Sequence, residues 1–545
     1  MIPATDTTQV SRLAPCAVRP CLGSLARKQA ICVLFIGLFA FAGSAIVGAI
    51  VGIPEPSVRD EFSYLLAADT FAHGRLTNPT HPMWLFLESG HIIHQPTYMS
   101  KYPPAQGLVL AIGQVVAGQP IFGVWLSFGF MCAAITWMLY AWVPPRWALV
   151  GGLFAAINPY LGFAGYWAQS YWGGAVAATG GALVFGSLRR IIQRARIRDS
   201  FLMGLGLAIL ANSRPYEGLV ASLPAGVTFF AWILHQRGPQ LWRSIRRTVI
   251  PLSLVLAVTG AALAIYNLRI TGNAFLMPFQ VYATTYEIVP KFIWQSLRPD
   301  PVFYHEFMRL AAYGSEFELY KMEHTVLGFL VKNLATLPWW ILYSLNVFIL
   351  PIIVTFSATA RWAWRTRWGQ FALITYAVFI VGMFLEVPMM IHYWAPITGL
   401  NYLFMLQALR LSRWDKSKRK WKQHALPLVV ILAAGGLVIS LYRRLQSDDP
   451  TEWYRQRAFL LRQLTKAEGQ HLIVVSYGPN HSIYKEWVYN EADIDAAKVV
   501  WARSMNTAEN CKLVQYFHRR HIWKLHIDDD RSIFNLEPYP TSFCQ

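Results

Sequence analysis

Apolar runs of roughly 20 residues recur along most of the chain, separated by short polar or charged segments, and a helix of that length spans about 30 Å of hydrocarbon. The run from Ala30 to Gly52 is continuously apolar. A transmembrane barrel would instead show short segments of alternating polarity, so the pattern predicts helices, which satisfy their own backbone in lipid. Spans are expected at 30–52, 121–142, 147–163, 174–188, 200–213, 217–236, 247–266, 338–358, 368–388, 392–409 and 425–442. That is about eleven crossings. The apolar stretch 105–118 follows Pro103 and Pro104 directly and is short, so it is expected to be a re-entrant or interfacial helix. The first run is longer than the usual signal-peptide core of about 7–15 residues and reads as a retained anchor behind a cytoplasmic tail, 1–29.

Beyond the last span the pattern changes. Trp453, Phe459, Leu460 and Leu464 recur at helical spacing, and short apolar runs follow at 472–475, 499–501 and 522–527. Residues 448–545 are therefore expected to form a small α/β domain, with Gly478-Pro479-Asn480-His481 an ordinary turn. The architecture expected overall is an α-helical polytopic membrane protein, module 30–442, carrying a small C-terminal α/β extracytoplasmic domain.

Composition agrees: 55% of residues are hydrophobic and 14% charged. The net charge of +19 would suit a nucleic-acid partner only if it formed a patch on a soluble module. Instead the basic residues gather between apolar runs, at Arg189 to Arg198, Arg237 to Arg247, Arg361 to Arg367, and Arg410, Arg413, Lys416, Lys418 and Arg419 to Lys422. Such clusters mark the cytoplasmic face and its anionic lipid, and exclude a nucleic-acid reading. Loops 53–104 and 267–324, the turn 166–174, and segments 213–218 and 389–396 then emerge together on the outer side. Cys16, Cys21, Cys32, Cys132, Cys511 and Cys544 show no metal-ligand spacing, and Cys511 and Cys544 can pair if the tail meets an oxidising compartment.

The outer segments hold the unusual chemistry. Asp60 and Glu61 begin a helical pattern whose apolar positions, Phe62, Leu65 and Leu66, are expected to lie on the membrane surface. Two carboxylates there suit either the helix dipole or a general base and its partner. Lys101 can bind phosphate as a point charge or snorkel to headgroups. Arg214 and Glu217 interrupt an apolar region, as a phosphate and hydroxyl site or as a structural ion pair. Gln169, Tyr171 and Trp172 offer aromatic faces and donors suited to sugar rings, or an interfacial belt. His392 and Tyr393 are further candidates for contact with a phosphate or an acceptor. His81, His91, His94 and Glu88 match no compact metal motif, so neither a metal nor another cofactor is expected.

Taken together, Asp60-Glu61-x-x-Tyr64 and Lys101-Tyr102-Pro103-Pro104 resemble the first outer loop of GT-C integral-membrane glycosyltransferases of the protein O-mannosyltransferase and aminoarabinose transferase type (families 39 and 83). The resemblance implies Asp60 as catalytic base, Glu61 as its neighbour, Tyr64 as the matching tyrosine, Gly74 and Pro79 closing the helix, and Lys101 on the carrier phosphate. Tyr102, inserted between the lysine and the prolines, departs from the pattern. The resemblance further implies an inverting transfer of a hexose or pentose from a polyprenyl-phosphate carrier to a glycolipid, polysaccharide or protein hydroxyl, outside a bacterial inner membrane. The competing readings are a flippase of lipid-linked sugars, which would concentrate ionisable groups at mid-membrane, and a non-catalytic envelope assembly protein.

Overall fold

The computed structural model describes residues 26–412, 419–446, 449–529, 535–540 and 544. Cys16, Cys21, most of the N-terminal tail, Arg413, Lys416 and Lys418 lie outside the described residues.

Among the described residues eight helices are long and apolar enough to cross a membrane: Gln29–Val51, Ile121–Trp142, Ala175–Arg194, Pro215–Leu234, Gly238–Thr271, Val326–Val354, Arg367–Phe384 and His424–Gln446. The other three expected spans are shorter helices packed into the same bundle. Pro145–Ala156 has 12 residues, because Asn158 turns the chain by accepting the Tyr160 and Leu161 N–H groups. Ile197–Ala211 has 15 residues and stops at Asn212, ahead of Pro215. The segment Ile391–Ile397 winds as a 3-10 helix around Pro396 before the helix Thr398–Ser412 begins. Pro104–Ala117, with Pro103 and Pro104 at its start, has 14 residues and reaches about 21 Å, too short to cross.

Close helix approach fixes the roof of the bundle. A Cβ on Gly181 would sit 1.8 Å from the Pro396 carbonyl oxygen, so the helix Ala175–Arg194 meets the segment bearing His392 and Tyr393 backbone to backbone. Gly181→Ala is expected to cost about 1–3 kcal/mol through overpacking, read as a lower unfolding midpoint in detergent.

The first loop folds as the helix Arg59–Ala72, closed by His73 and Gly74 with φ +70°, followed by a three-stranded antiparallel sheet of Asn78–Pro79, Thr97–Ser100 and Ile92–Ile93. The large loop starts later than expected, after Thr271, and contains the helices Pro278–Tyr286, Glu306–Ala312 and Ser315–Glu323. The C-terminal domain is α/β. Its four-stranded sheet runs Val499–Arg503, His471–Tyr477, His521–Ile527, Asn535–Pro538, the first three parallel and the last antiparallel. A disulfide joins Cys511 to Cys544.

The apolar stripe of the first-loop helix, expected on a membrane surface, is covered by protein. Phe62 and Leu66 are buried with Leu472, Val474, Tyr489 and Val500 of the C-terminal domain, and the Phe62 ring stacks on Tyr489 at 4.0 Å. Its other side, Tyr64, Leu65 and Ala68, packs on Leu110, Ala111, Val124 and Trp125. Once a second domain was available, burial on both sides removed more apolar surface from water than one-sided contact could. Asp60 is thereby held between two packed bodies.

Candidate active site

Asp60 and Glu61 sit in the first turn of the helix Arg59–Ala72, where the dipole favours carboxylates. The helix then points them to different places. Glu61 is 2% exposed. One of its oxygens accepts the Tyr171 N–H at 2.9 Å; the other accepts the N–H groups of Ser57 at 2.7 Å and Val58 at 3.3 Å and the Ser57 hydroxyl. Burial raises its carboxyl pKa, and these bonds oppose the rise. Glu61 thus caps the helix start and ties it to the aromatic turn, and it also lines the cavity beside that turn. Glu61→Gln is expected to cost about 1–3 kcal/mol in a thermal unfolding measurement, because donors on a buried carboxylate lose their charged partner.

Asp60 keeps a side chain 22% exposed. Its Oδ1 accepts the Tyr102 hydroxyl, and its Oδ2 lies 3.6 Å from His91 Nδ1, which is 3.0 Å from the same hydroxyl. His91 occupies φ +64°, a left-handed conformation uncommon outside glycine and held here by Ser63, which donates to the His91 carbonyl at 2.6 Å. The inserted Tyr102 therefore contacts the carboxylate directly.

Lys101 and Tyr102 precede the proline start of Pro104–Ala117, and the Ala105 N–H donates to the Asn212 carbonyl at 2.9 Å. This bond sets the first loop against Arg214, the N-cap of Pro215–Leu234. Arg214 lies 3.9 Å from the buried Glu217 and 4.7 Å from the Tyr393 ring centroid. Tyr64 stacks on Tyr102 at 4.5 Å. Burial pushes the Tyr64 phenol up to about 12, and the charges of Arg214, Asp60, Glu217 and Lys101 all act on it. One aromatic ring thus marks the point where four of the sequence candidates converge.

Lys101 forms an ion pair with Glu287 at 3.0 Å and rests 4.3 Å above the Tyr282 ring. Burial disfavours its charge, but Glu287 and Tyr282 outweigh burial and the net direction is upward. Lys291 pairs with Glu386 at 2.9 Å, and Glu217 and Arg214 both act on that pair. Sequence reading missed Glu287, Lys291, Arg298 and Glu386. Glu386, two residues past the span Arg367–Phe384, carried a legible signal, since an acid at the end of an apolar span is a functional candidate by default.

The aromatic turn supplies a neighbouring cavity of about 1010 Å³, whose lining includes Ser170, Trp172, His392, Tyr166 and Arg444. The Trp172 ring meets His392 at 4.6 Å, and His392 meets Tyr393 at 4.9 Å, so the cavity wall adjoins the Arg214 cluster. Gln169 reaches this wall but gives its amide to the Ser44 and Phe163 carbonyls at 2.8 and 3.0 Å. Tyr171 is buried, its carbonyl accepting from Gln106. The Gln169 amide is thus bound to the framework, whereas Tyr171 is held there through its backbone. The three histidines of the first loop diverge: His81 faces Asp495, His91 faces Asp60 and His94 faces Ser89. Among the described residues no three His, Cys, Asp or Glu side chains gather as a metal site.

No family model matches the sequence, and no curated protein matches it. Solved structures do match. ArnT from Cupriavidus metallidurans, in the apo state, is 13% identical over 90% of this chain and 93% of its own, with a TM-score of 0.50. The Archaeoglobus fulgidus oligosaccharyltransferase, solved with Zn and sulfate, is 13% identical over 80% of this chain with a TM-score of 0.44. This chain spans 60% of that enzyme's length. The chain therefore shares the overall fold of ArnT.

Proposed function

We propose that the chain transfers a monosaccharide, a hexose or pentose, from a polyprenyl-phosphate carrier to an acceptor hydroxyl on the outer face of the membrane, in bacteria the inner one. One observation carries this reading. Asp60, the more exposed of the paired acids, accepts the hydroxyl of Tyr102, whose ring lies 5.6 Å from the Lys101 ammonium and stacks on Tyr64, on which the charge of Arg214 also acts. The acceptor oxygen attacks the anomeric carbon, its proton passes to Asp60, and the bond from that carbon to the phosphate oxygen breaks with inversion. Lys101 and Arg214 stabilise the charge that grows on the departing phosphate. The carrier's chain stays in the bilayer while its phosphate reaches the interface, so no nucleotide-binding fold is required. The outward orientation is supported by the basic clusters on the opposite loops. Acceptors of three classes fit: a glycolipid, a polysaccharide or a protein.

The test supplies the purified protein, in lipid nanodiscs with EDTA, with a panel of radiolabelled undecaprenyl-phosphate sugars and membrane acceptors. Label is expected to move to an acceptor with the wild type and not with Asp60→Asn. Movement of labelled carrier across liposomes, with no sugar transfer to any acceptor, would instead identify a flippase.

A further inference from the structure

Lys101 has a carboxylate where the proposed reaction needs a phosphate. Its ammonium sits on the Tyr282 ring at 4.3 Å, with the Tyr102 ring centroid 5.6 Å away, and Glu287 Oε1 approaches at 3.0 Å. The second oxygen of Glu287 lies 3.8 Å from Arg298. One carboxylate therefore bridges two cations from two different outer loops. Arg298 is fixed to its own loop, its guanidinium donating to the Val289 carbonyl at 2.6 Å and its N–H to the Ile288 carbonyl at 2.9 Å. Lys101 is likewise fixed, its N–H donating to the His91 carbonyl at 3.2 Å. Glu287, whose own N–H donates to the Ala283 carbonyl at 3.1 Å, is the more exposed side chain of the pair, 32% against 12% for Lys101.

We infer that Glu287 is an internal anion holding the Lys101–Arg298 seat in the resting protein, and that the phosphate of the lipid carrier must displace it to bind. This rests on the proposed carrier-dependent function. The physical basis is exchange between like ligands. A carboxylate and a phosphate both accept charge-assisted hydrogen bonds from the same cations, but a phosphate brings more oxygens and more charge. A sugar lacking the phosphate cannot make the exchange, so Glu287 keeps the seat closed to uncharged ligands. Displacement also breaks the ion pair between the first and the large loop, while Lys291 and Ile293 keep the large loop bonded to Val387 and Leu385.

The test measures binding of undecaprenyl phosphate to the protein in nanodiscs, with inorganic phosphate as a second ligand, for wild type, Glu287→Gln, Lys101→Gln and the double variant. Thermal unfolding of each variant verifies folding. Removing the competing anion is expected to tighten undecaprenyl phosphate binding by about tenfold, the equivalent of one part-buried charged pair. Lys101→Gln is expected to weaken binding, alone and in the Glu287→Gln background. Tightening of inorganic phosphate by the same factor would place the effect in the seat itself. Unchanged or weaker binding by a folded Glu287→Gln protein, with Lys101→Gln still impaired, overturns the internal-anion role and leaves the carrier reading standing. Binding indifferent to Lys101→Gln as well overturns the carrier seat. Should Glu287→Gln fail to fold, Arg298→Gln serves in its place: it loosens the grip on Glu287 while removing a cation. Unchanged carrier affinity in a folded Arg298→Gln protein would then also count against the seat.

Discussion

Asparagine at position 60 is expected to slow sugar transfer by roughly two to four orders of magnitude, the range supplied by a positioned general base. Asparagine has the shape of aspartate and can still accept the Tyr102 hydroxyl through its Oδ1, so the contact that orients the side chain survives. What is lost is the capacity to take a proton. Lys101 and Arg214 hold their own partners, Glu287 and Glu217, and neither ion pair includes Asp60. Carrier binding should therefore be nearly unchanged, and the loss should fall on kcat rather than KM, the signature of an interaction made in the transition state. Glu61→Gln is the matched comparison: it alters the adjacent carboxylate, lowers stability, and is expected to leave the transfer rate within a few-fold of wild type, because that carboxylate faces backbone N–H groups. Single-turnover transfer from a labelled polyprenyl-phosphate sugar separates the two. Full activity in Asp60→Asn would remove Asp60 from the chemistry; equal losses in both variants would show a damaged helix start rather than a missing base.

The membrane class and the α/β character of the tail were readable because each rests on a local signal: continuous apolar runs, and a shift in periodicity after residue 447. The site was readable only as a set of types. Asp60, Lys101, Arg214 and Tyr393 do converge, but the ion pairs around them draw in Glu287, Lys291, Arg298 and Glu386, more than a hundred residues further along the chain from Asp60 and Lys101. No periodicity links such positions; tertiary packing alone brings them together. The same limit explains the misreading of Phe62 and Leu66. A helical stripe announces that it will be buried without saying against what, and here the partner was Tyr489 and its neighbours rather than lipid. Glu61 and Gln169 teach the complementary lesson. Polar side chains in a loop signal either a ligand or a backbone in need of hydrogen bonds, and both were claimed by the backbone.

The largest expected loss of stability lies at Arg503, where three parts of the outer assembly meet. Its guanidinium is 3% exposed as a side chain and forms an ion pair with the buried Glu486. It also donates to the Glu88 carbonyl of the first loop at 2.7 Å and lies 5.0 Å over the Phe307 ring of the large loop. Glu486 in turn accepts the Tyr477 hydroxyl at 2.6 Å and the Val488 N–H at 2.9 Å. Arg503→Met leaves a carboxylate buried without its counter-charge, which costs about 3–5 kcal/mol. The double variant Arg503→Met with Glu486→Gln buries no charge and is expected to regain a large part of that loss. Limited proteolysis and thermal unfolding in nanodiscs are the measurements; equal stability of the single and double variants would mean that the charge pair does not hold the assembly. Because Phe62 stacks on Tyr489, loosening this domain should also lower transfer by disturbing the helix that carries Asp60. Glu88 adds a pH dependence with a definite sign. Burial raises its carboxyl from 4.5 to about 7, against the hydrogen bond from Tyr286 and the charge of Arg503. Folding therefore takes up a proton between those values, and the associated stability is complete below about pH 4.5 and lost as pH rises through about 7. Unfolding midpoints of the wild type are expected to fall from pH 5 to 8 on this account, and Glu88→Gln, which keeps a neutral side chain of the same shape, should flatten the decline. An unchanged slope in that variant would assign the pH dependence to other groups and leave the Arg503 prediction untouched.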